Sequence, residues 1–196
     1  GSLSGGPNFA YELCLKRISD DAMADIDLKS WRFCFNGAEP VSASTMQRFA
    51  ARYARFGLDP RALAPVYGLA ECSVGLTFTP AGRGPAIDTI DRAAFRDTGR
   101  AVPVASGTAG SMQVVGCGYP LHEHRVRIAG PSGEVLDERA EGRIQFMGPS
   151  ATSGYFRNEA ATRALLCEQW LDTGDLGYLA DGELYPTGRV KDVIIR

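Results

Sequence analysis

The chain is short of several things, and each shortage removes a class of function. Lysine occurs only at Lys16, Lys29 and Lys191, histidine only at His122 and His124, and the formal net charge of the 196 residues is −2. A nucleic-acid or acidic-membrane partner calls for a basic surface, which this balance does not supply. The preference for arginine over lysine is compositional, and no function follows from it. No Cys-x-x-Cys pair exists; Cys14, Cys34, Cys72, Cys117 and Cys167 are odd in number and irregularly spaced, which argues against a disulfide framework. Most lie in apolar runs, where a thiol behaves as a small hydrophobe, so a reducing, cytoplasmic setting is expected. The H-x-H pair of His122 and His124 has no Cys or Asp ligand beside it and reads as a strand surface rather than a zinc site. No apolar run reaches about 18 residues, so no membrane span is expected. There is no internal repeat and no low-complexity tract. Gly1-Ser2 reads as a cleavage scar and is set aside.

What is present is a globular balance. With 44% hydrophobic and 22% charged residues, a chain of this length can bury a substantial core, as one large domain or two small ones. "GPNFAYELCLKRI" opens with Pro7 at an expected first helical position, and Phe9, Leu13, Cys14 and Arg17 follow at helical spacing. "SDDAMADIDLKS" reads as a short capped helix and a turn, and "WRFCFNG" as a buried strand closed by Asn-Gly. In "VSASTMQRFAARYARFG", Met46, Phe49, Ala50 and Tyr53 line one helical face, with Arg48, Arg52 and Arg55 on a solvated one, before Gly57 stops the helix. "LAPVYG" is a second strand. Helix alternating with strand predicts an α/β layer with parallel pairing over residues 3–85.

After Pro80 the character changes. Residues 86–110 are rich in Gly, Pro and charge, with a helical piece near Asp91–Phe95; they form either a long ordered loop or a mobile insertion. From Ser111, "SMQVVGCG", "HEHRVRIAG", "GRIQFMG" and "GELYPTGRV" are short alternating runs with hairpin signals at "GPSGEV" and "LADGEL". They predict an antiparallel sheet or distorted β-barrel over 111–187, interrupted by one helix from about Asn158 to Cys167.

Four stretches place glycine beside a polar or aromatic side chain at a strand end, where backbone can approach a ligand while one side chain reaches it. They are "NGAEP", "YGLAE", "GRIQFMGPSATSGYFRN" and "WLDTGDLGYLADGELYPTGRVKD". Glu71 sits inside the apolar, strand-like run "PVYGLAECSVGLTFTP". A buried, unpaired carboxylate is costly, so Glu71 either points to solvent at a strand end or has a partner or a task. Asp172, Asp175 and Asp181 cluster around Thr173 and Gly174 and serve either as turn caps or as acceptors for a pair of hydroxyls such as ribose offers. Arg189 either forms a hairpin salt bridge or neutralises phosphate.

In this order the segments resemble those of the adenylate-forming enzyme superfamily, over essentially the whole chain. "GPNFAYELC", "NGAEP", "YGLAE" and the stretch from about Ala86 to Gly110 most resemble the fatty acyl-AMP ligases, in which an insertion at this place hinders transfer to free CoA. The resemblance implies a partial parallel α/β subdomain followed by a distorted antiparallel β-barrel, with residues 188–196 opening a hinge to a further domain. It implies ATP and Mg²⁺ as cofactors, a fatty acid as substrate, and the phosphopantetheine arm of an acyl carrier protein as acceptor; the alternatives are an acyl-CoA synthetase using free CoA and a non-catalytic interaction module that keeps the fold without the chemistry. By that resemblance Tyr67 lies against adenine, while Gly37, Ala38, Glu39 and Gly68 frame the nucleotide. Glu71 holds Mg²⁺, Asp175 binds ribose, Arg189 contacts ribose or phosphate, and Lys191 with Asp192 forms the hinge. Ala70 stands where many relatives carry threonine. The superfamily's phosphate loop and C-terminal domain are expected outside this chain. A lone piece of that kind is expected to be inactive and, with a sheet face uncovered, to self-associate.

Overall fold

Parallel pairing begins at the N-terminus of the computed structural model, which describes residues 1–192 apart from the side chain of Asp192. Strand β1 (Leu3–Gly6) pairs in parallel with β2 (Phe33–Asn36), and β2 with β3 (Leu63–Tyr67). Helices α1 (Asn8–Arg17) and α2 (Ala43–Tyr53) make the crossovers. Pro7 stands one residue before α1 in extended backbone, so it caps the helix rather than opening it. Ser42 caps α2 by accepting the Thr45 N–H at 3.3 Å, and Gly57 turns the chain at φ +89°. The predicted apolar face of α2 is the one that packs. Met46, Phe49 and Tyr53 are buried with Tyr11, Cys34 and Leu63, and the Tyr11 ring meets Phe49 edge-on at 4.8 Å. On the opposite face Arg48 pairs with Glu12, while Arg52 and Arg55 both reach Asp20.

The run from Pro65 to Pro80 is not one strand. β3 stops at Tyr67, a 3-10 turn covers Ala70–Cys72, and β4 (Thr77–Phe78) returns antiparallel to β3. Hence the first sheet is mixed rather than parallel, with order β1-β2-β3-β4-β7, where β7 is Tyr119–Pro120.

Residues 86–110 are ordered. They form β5 (Ile87–Asp91) and α3 (Arg92–Thr98), and β5 pairs with β6 (Ser111–Val115) as a separate two-stranded ribbon. β6, expected in the barrel sheet, therefore belongs to this ribbon. The second large sheet joins β8 (Arg125–Ala129), β9 (Gly142–Met147), β10 (Leu166–Cys167), β11 (Trp170–Ala180) and β12 (Glu183–Arg189), all antiparallel. The β11–β12 turn is Asp181-Gly182, both at positive φ, as the Asp-Gly signal requires. Helix α4 (Glu159–Leu165) is capped by Asn158, whose Oδ1 accepts the Ala161 N–H at 3.0 Å. The ribbon is anchored on the sheet by Ile90, Ala101 and Val114 packed with Tyr178, Ala180 and Tyr185. Those two tyrosine rings stack at 5.0 Å. The result is a mixed α/β layer joined to a curled antiparallel half-barrel, with strand ends of both facing a common cleft.

Candidate active site

Two local irregularities deliver side chains into that cleft. The first is the β3–β4 turn. Gly68 has no room for a side chain, since a Cβ there would lie 1.8 Å from the Val74 carbonyl oxygen. Ser73 and Val74 both take positive φ, and for the β-branched Val74 that conformation is strained. Cys72 and Leu76 bury their side chains with Phe146, Leu165 and Leu171 of the half-barrel, which fixes the turn to the second sheet. Glu71 is thus raised at a turn tip, half-exposed, rather than buried in a strand.

The second irregularity is a bulge in β11. Between the pairs Asp172–Gln145 and Leu176–Arg143, three residues, 173–175, stand opposite Ile144 alone. The Thr173 hydroxyl takes up the Ile144 carbonyl at 2.9 Å, Gly174 turns at φ +74°, and Asp175 is re-aimed into the cleft.

The cleft holds a cavity of about 960 Å³, and Gly37, Ala38, Tyr67, Gly68, Glu71, Asp175, Arg189 and Lys191 all line it. A smaller hollow of about 250 Å³ adjoins it and shares Ala38, Tyr67, Gly68, Asp175 and Arg189, with Glu39 on its wall. Asp175 ties the polar lining together. Its Oδ2 accepts the Tyr67 hydroxyl at 2.7 Å, and its Oδ1 lies 3.3 Å from Arg189 Nε. Asp175 and Arg189 are direct cross-strand neighbours, so Arg189 does form the hairpin salt bridge and lines the cavity at the same time. Burial first, then the Asp175 charge, raise the Tyr67 phenol far above its ordinary range and keep it a donor. Ala38 takes positive φ as the chain leaves β2, and the Glu39 carboxylate turns away to accept the Phe9 N–H at the start of α1. Pro7, Phe35, Val66, Val74 and Phe78 give the same cavity apolar lining.

The other two aspartates do not join Asp175. Asp172 is buried against Arg143, and Asp181 lies at the hairpin tip, where Glu138 accepts its N–H at 3.0 Å. The side chain of Asp192 and residues 193–196 lie outside the described residues. Tyr155, within "GRIQFMGPSATSGYFRN", carries no local sequence signal of a role. Its hydroxyl donates to Oε1 of Glu71 across 84 positions, and that bond first of all raises the Tyr155 phenol above its ordinary range. The His122/His124 pair lies in the turn before β8 rather than on a strand, and His124 Nε2 lies 2.7 Å from Ser150 Oγ. Among the described residues no group of three or more His, Cys, Asp or Glu could cage a metal, and no helix is long and apolar enough to cross a membrane.

The cavity combines polar and apolar lining and is fed by strand ends of both sheets. The sequence profile of the AMP-binding enzyme family matches residues 4–156. The chain belongs to the AMP-binding enzymes. A medium-chain-fatty-acid–[acyl-carrier-protein] ligase of Teredinibacter turnerae is 34% identical over 98% of the chain, which covers 32% of that relative. A structure from work on the fatty acyl-adenylate ligases of E. coli and L. pneumophila superposes with a TM-score of 0.94 at 39% identity, over 100% of this chain and 36% of that one. A fatty acyl-adenylate ligase of L. pneumophila, solved with acyl adenylate and pyrophosphate, superposes at 0.90 with 36% identity, over 98% and 35% respectively. The chain thus has part of the adenylate-forming fold and spans about a third of the length of the relatives it matches. The family match ends before Asp175 and Arg189, whereas the structural likeness includes them.

Proposed function

We propose that this chain is the central part of an ATP-dependent fatty acyl-AMP ligase that passes its acyl adenylate to an acyl carrier protein. The observation that carries this reading is the meeting of Tyr67, Glu71, Asp175 and Arg189, from three separate segments, on one cavity that also has apolar lining. The Tyr67 ring offers an aromatic face to adenine, and Gly37, Ala38 and Gly68 bring backbone close to the nucleotide. Asp175 keeps acceptor capacity on both oxygens after meeting Tyr67 and Arg189, so it can take two ribose hydroxyls. Arg189 supplies positive charge beside ribose or phosphate.

The residues present fit Mg²⁺. Oε2 of Glu71 takes no hydrogen bond from any described residue, and Glu71 lines the cavity of about 960 Å³. One carboxylate plus substrate phosphates is an arrangement this hard cation favours. Bound there, the ion would neutralise charge on the triphosphate. The fatty carboxylate is already ionised at neutral pH; it attacks the α-phosphorus, forming one P–O bond as the bond to the pyrophosphate oxygen breaks. The chain's own residues act by position and charge rather than as a general base.

The ordered packing of residues 86–110 on Tyr178 and Tyr185 supports a carrier protein over free CoA as acceptor. Lys191, exposed at the cavity edge, suits a hinge from which a further domain swings. The exposed Leu3, Phe9 and Leu13 beside the free edge of β1 support self-association of the isolated chain, which sedimentation at rising concentration would detect.

The test is fatty-acid-dependent pyrophosphate release by the full-length protein, with carrier protein and CoA offered in turn. Release with acyl transfer to the carrier protein alone is expected, and none from the isolated 196 residues. Efficient acyl-CoA formation would make the enzyme a synthetase, and robust turnover by the isolated chain would overturn its reading as a part.

A further inference from the structure

The loop between β9 and α4 is fastened to the Glu71 turn at several points. The Thr152 N–H donates to the Glu71 carbonyl at 2.8 Å, the Ser150 hydroxyl lies 2.9 Å from the Cys72 carbonyl, and the Ser73 hydroxyl reaches the Ser150 carbonyl at 3.4 Å. His124 braces Ser150 from outside. On the far side, Thr162 of α4 accepts the Tyr155 N–H at 2.9 Å through its hydroxyl oxygen. From this braced backbone the Tyr155 hydroxyl donates to Oε1 of Glu71, and both residues line the larger cavity.

We propose that Tyr155 is a positioning residue for the Glu71 carboxylate, holding one oxygen so that the other is presented to a divalent cation bound with the triphosphate. This rests on the reading of Glu71 given above. A glutamate on a turn tip has free side-chain torsions, and ordering them on binding lowers affinity. A hydrogen bond to one oxygen removes that freedom and leaves the lone pairs of the other. The donor is also suited to the task, because a neutral phenol fixes the carboxylate without cancelling its charge, whereas a lysine or arginine there would compete with the metal. Partners of this outer kind commonly set metal affinity by about 10–100-fold. The loop keeps its backbone fastenings without the phenol oxygen, so positioning and folding are separable.

The experiment uses the full-length protein with ATP, and Mn²⁺ as the probe, its free concentration read by electron paramagnetic resonance. Tyr155→Phe is expected to weaken Mn²⁺ binding in the ATP complex by about tenfold or more. The Mg²⁺ concentration for half-maximal pyrophosphate release should rise in step, with kcat at saturating Mg²⁺ and the melting temperature near wild type. Tyr155→His, which returns a ring N–H donor, should recover part of the affinity. Added to Glu71→Gln, Tyr155→Phe should change nothing further. Wild-type Mn²⁺ binding by Tyr155→Phe, with binding lost in Glu71→Gln, would overturn the positioning role and leave the Glu71 reading standing. Wild-type binding by Glu71→Gln would overturn that reading and the positioning role with it. A Tyr155→Phe protein unable to fold would make the phenol a structural staple and equally refute the proposal.

Discussion

The hydroxyl of Tyr67 donates to Oδ2 of Asp175 at 2.7 Å, across 108 positions of sequence. One residue ends a strand of the mixed sheet and the other rides the bulge of the half-barrel, so this bond closes the two halves over the cavity. A bond from a neutral donor to a charged, partly buried acceptor contributes about 1.5–3 kcal/mol. Tyr67→Phe keeps the ring and loses the donor. Urea unfolding should show a loss of that size, and the KM for ATP should rise more than kcat falls, because Asp175 is less well held in ground and transition states alike.

A second closure lies away from the cavity. Arg83 grips the buried Glu183 with two hydrogen bonds of 2.8 and 2.6 Å, and Glu183 also accepts the Gly118 N–H at 3.1 Å. Arg83→Met leaves a buried carboxylate without its cation, and unfolding measurements should show a loss of about 3–5 kcal/mol. The double replacement Arg83→Met with Glu183→Leu should recover much of it. Equal stabilities of the single and double variants would contradict this account of the pair.

Acid stability should depend on Asp172. Burial alone would raise its carboxyl, but Arg143 at 2.6 Å, the Gly174 N–H at 2.8 Å and Gln145 at 3.4 Å together hold it below the ordinary value of 3.8. A carboxyl depressed on folding stabilises the native state above its unfolded pKa, and that contribution is lost as pH falls through the folded one. Unfolding free energy should therefore drop below about pH 4, more steeply in the wild type than in Asp172→Asn. Identical slopes would show that Asp172 is not the group responsible.

Much of the fold was legible where one local rule dominates. The apolar face of α2, the start of α4 at Asn158 and the Asp181-Gly182 hairpin each need only a few neighbouring residues to specify them. β1 was not legible: Leu3-Ser4-Gly5-Gly6 has no strand propensity and becomes a strand only because β2 offers it a parallel ladder. In the Pro65–Pro80 run the first strand was legible as "LAPVYG", but the turn after it was not, because it is set by the Gly68–Val74 approach, a tertiary constraint. Proximity in sequence grouped Asp172, Asp175 and Asp181, but a bulge and a hairpin send them to three places. The pairing of Tyr155 with Glu71 carries no local signal, because it joins two loops that only the finished core brings together.

The central claim is that Glu71 and Asp175 serve one nucleotide in a single cavity. The most direct measurement is kcat/KM for ATP in fatty-acid-dependent pyrophosphate release by full-length protein, comparing wild type with Glu71→Ala and Asp175→Ala. Each replacement should remove about 2–4 kcal/mol of transition-state stabilisation, roughly 30- to 900-fold in rate. Wild-type values for both would contradict it.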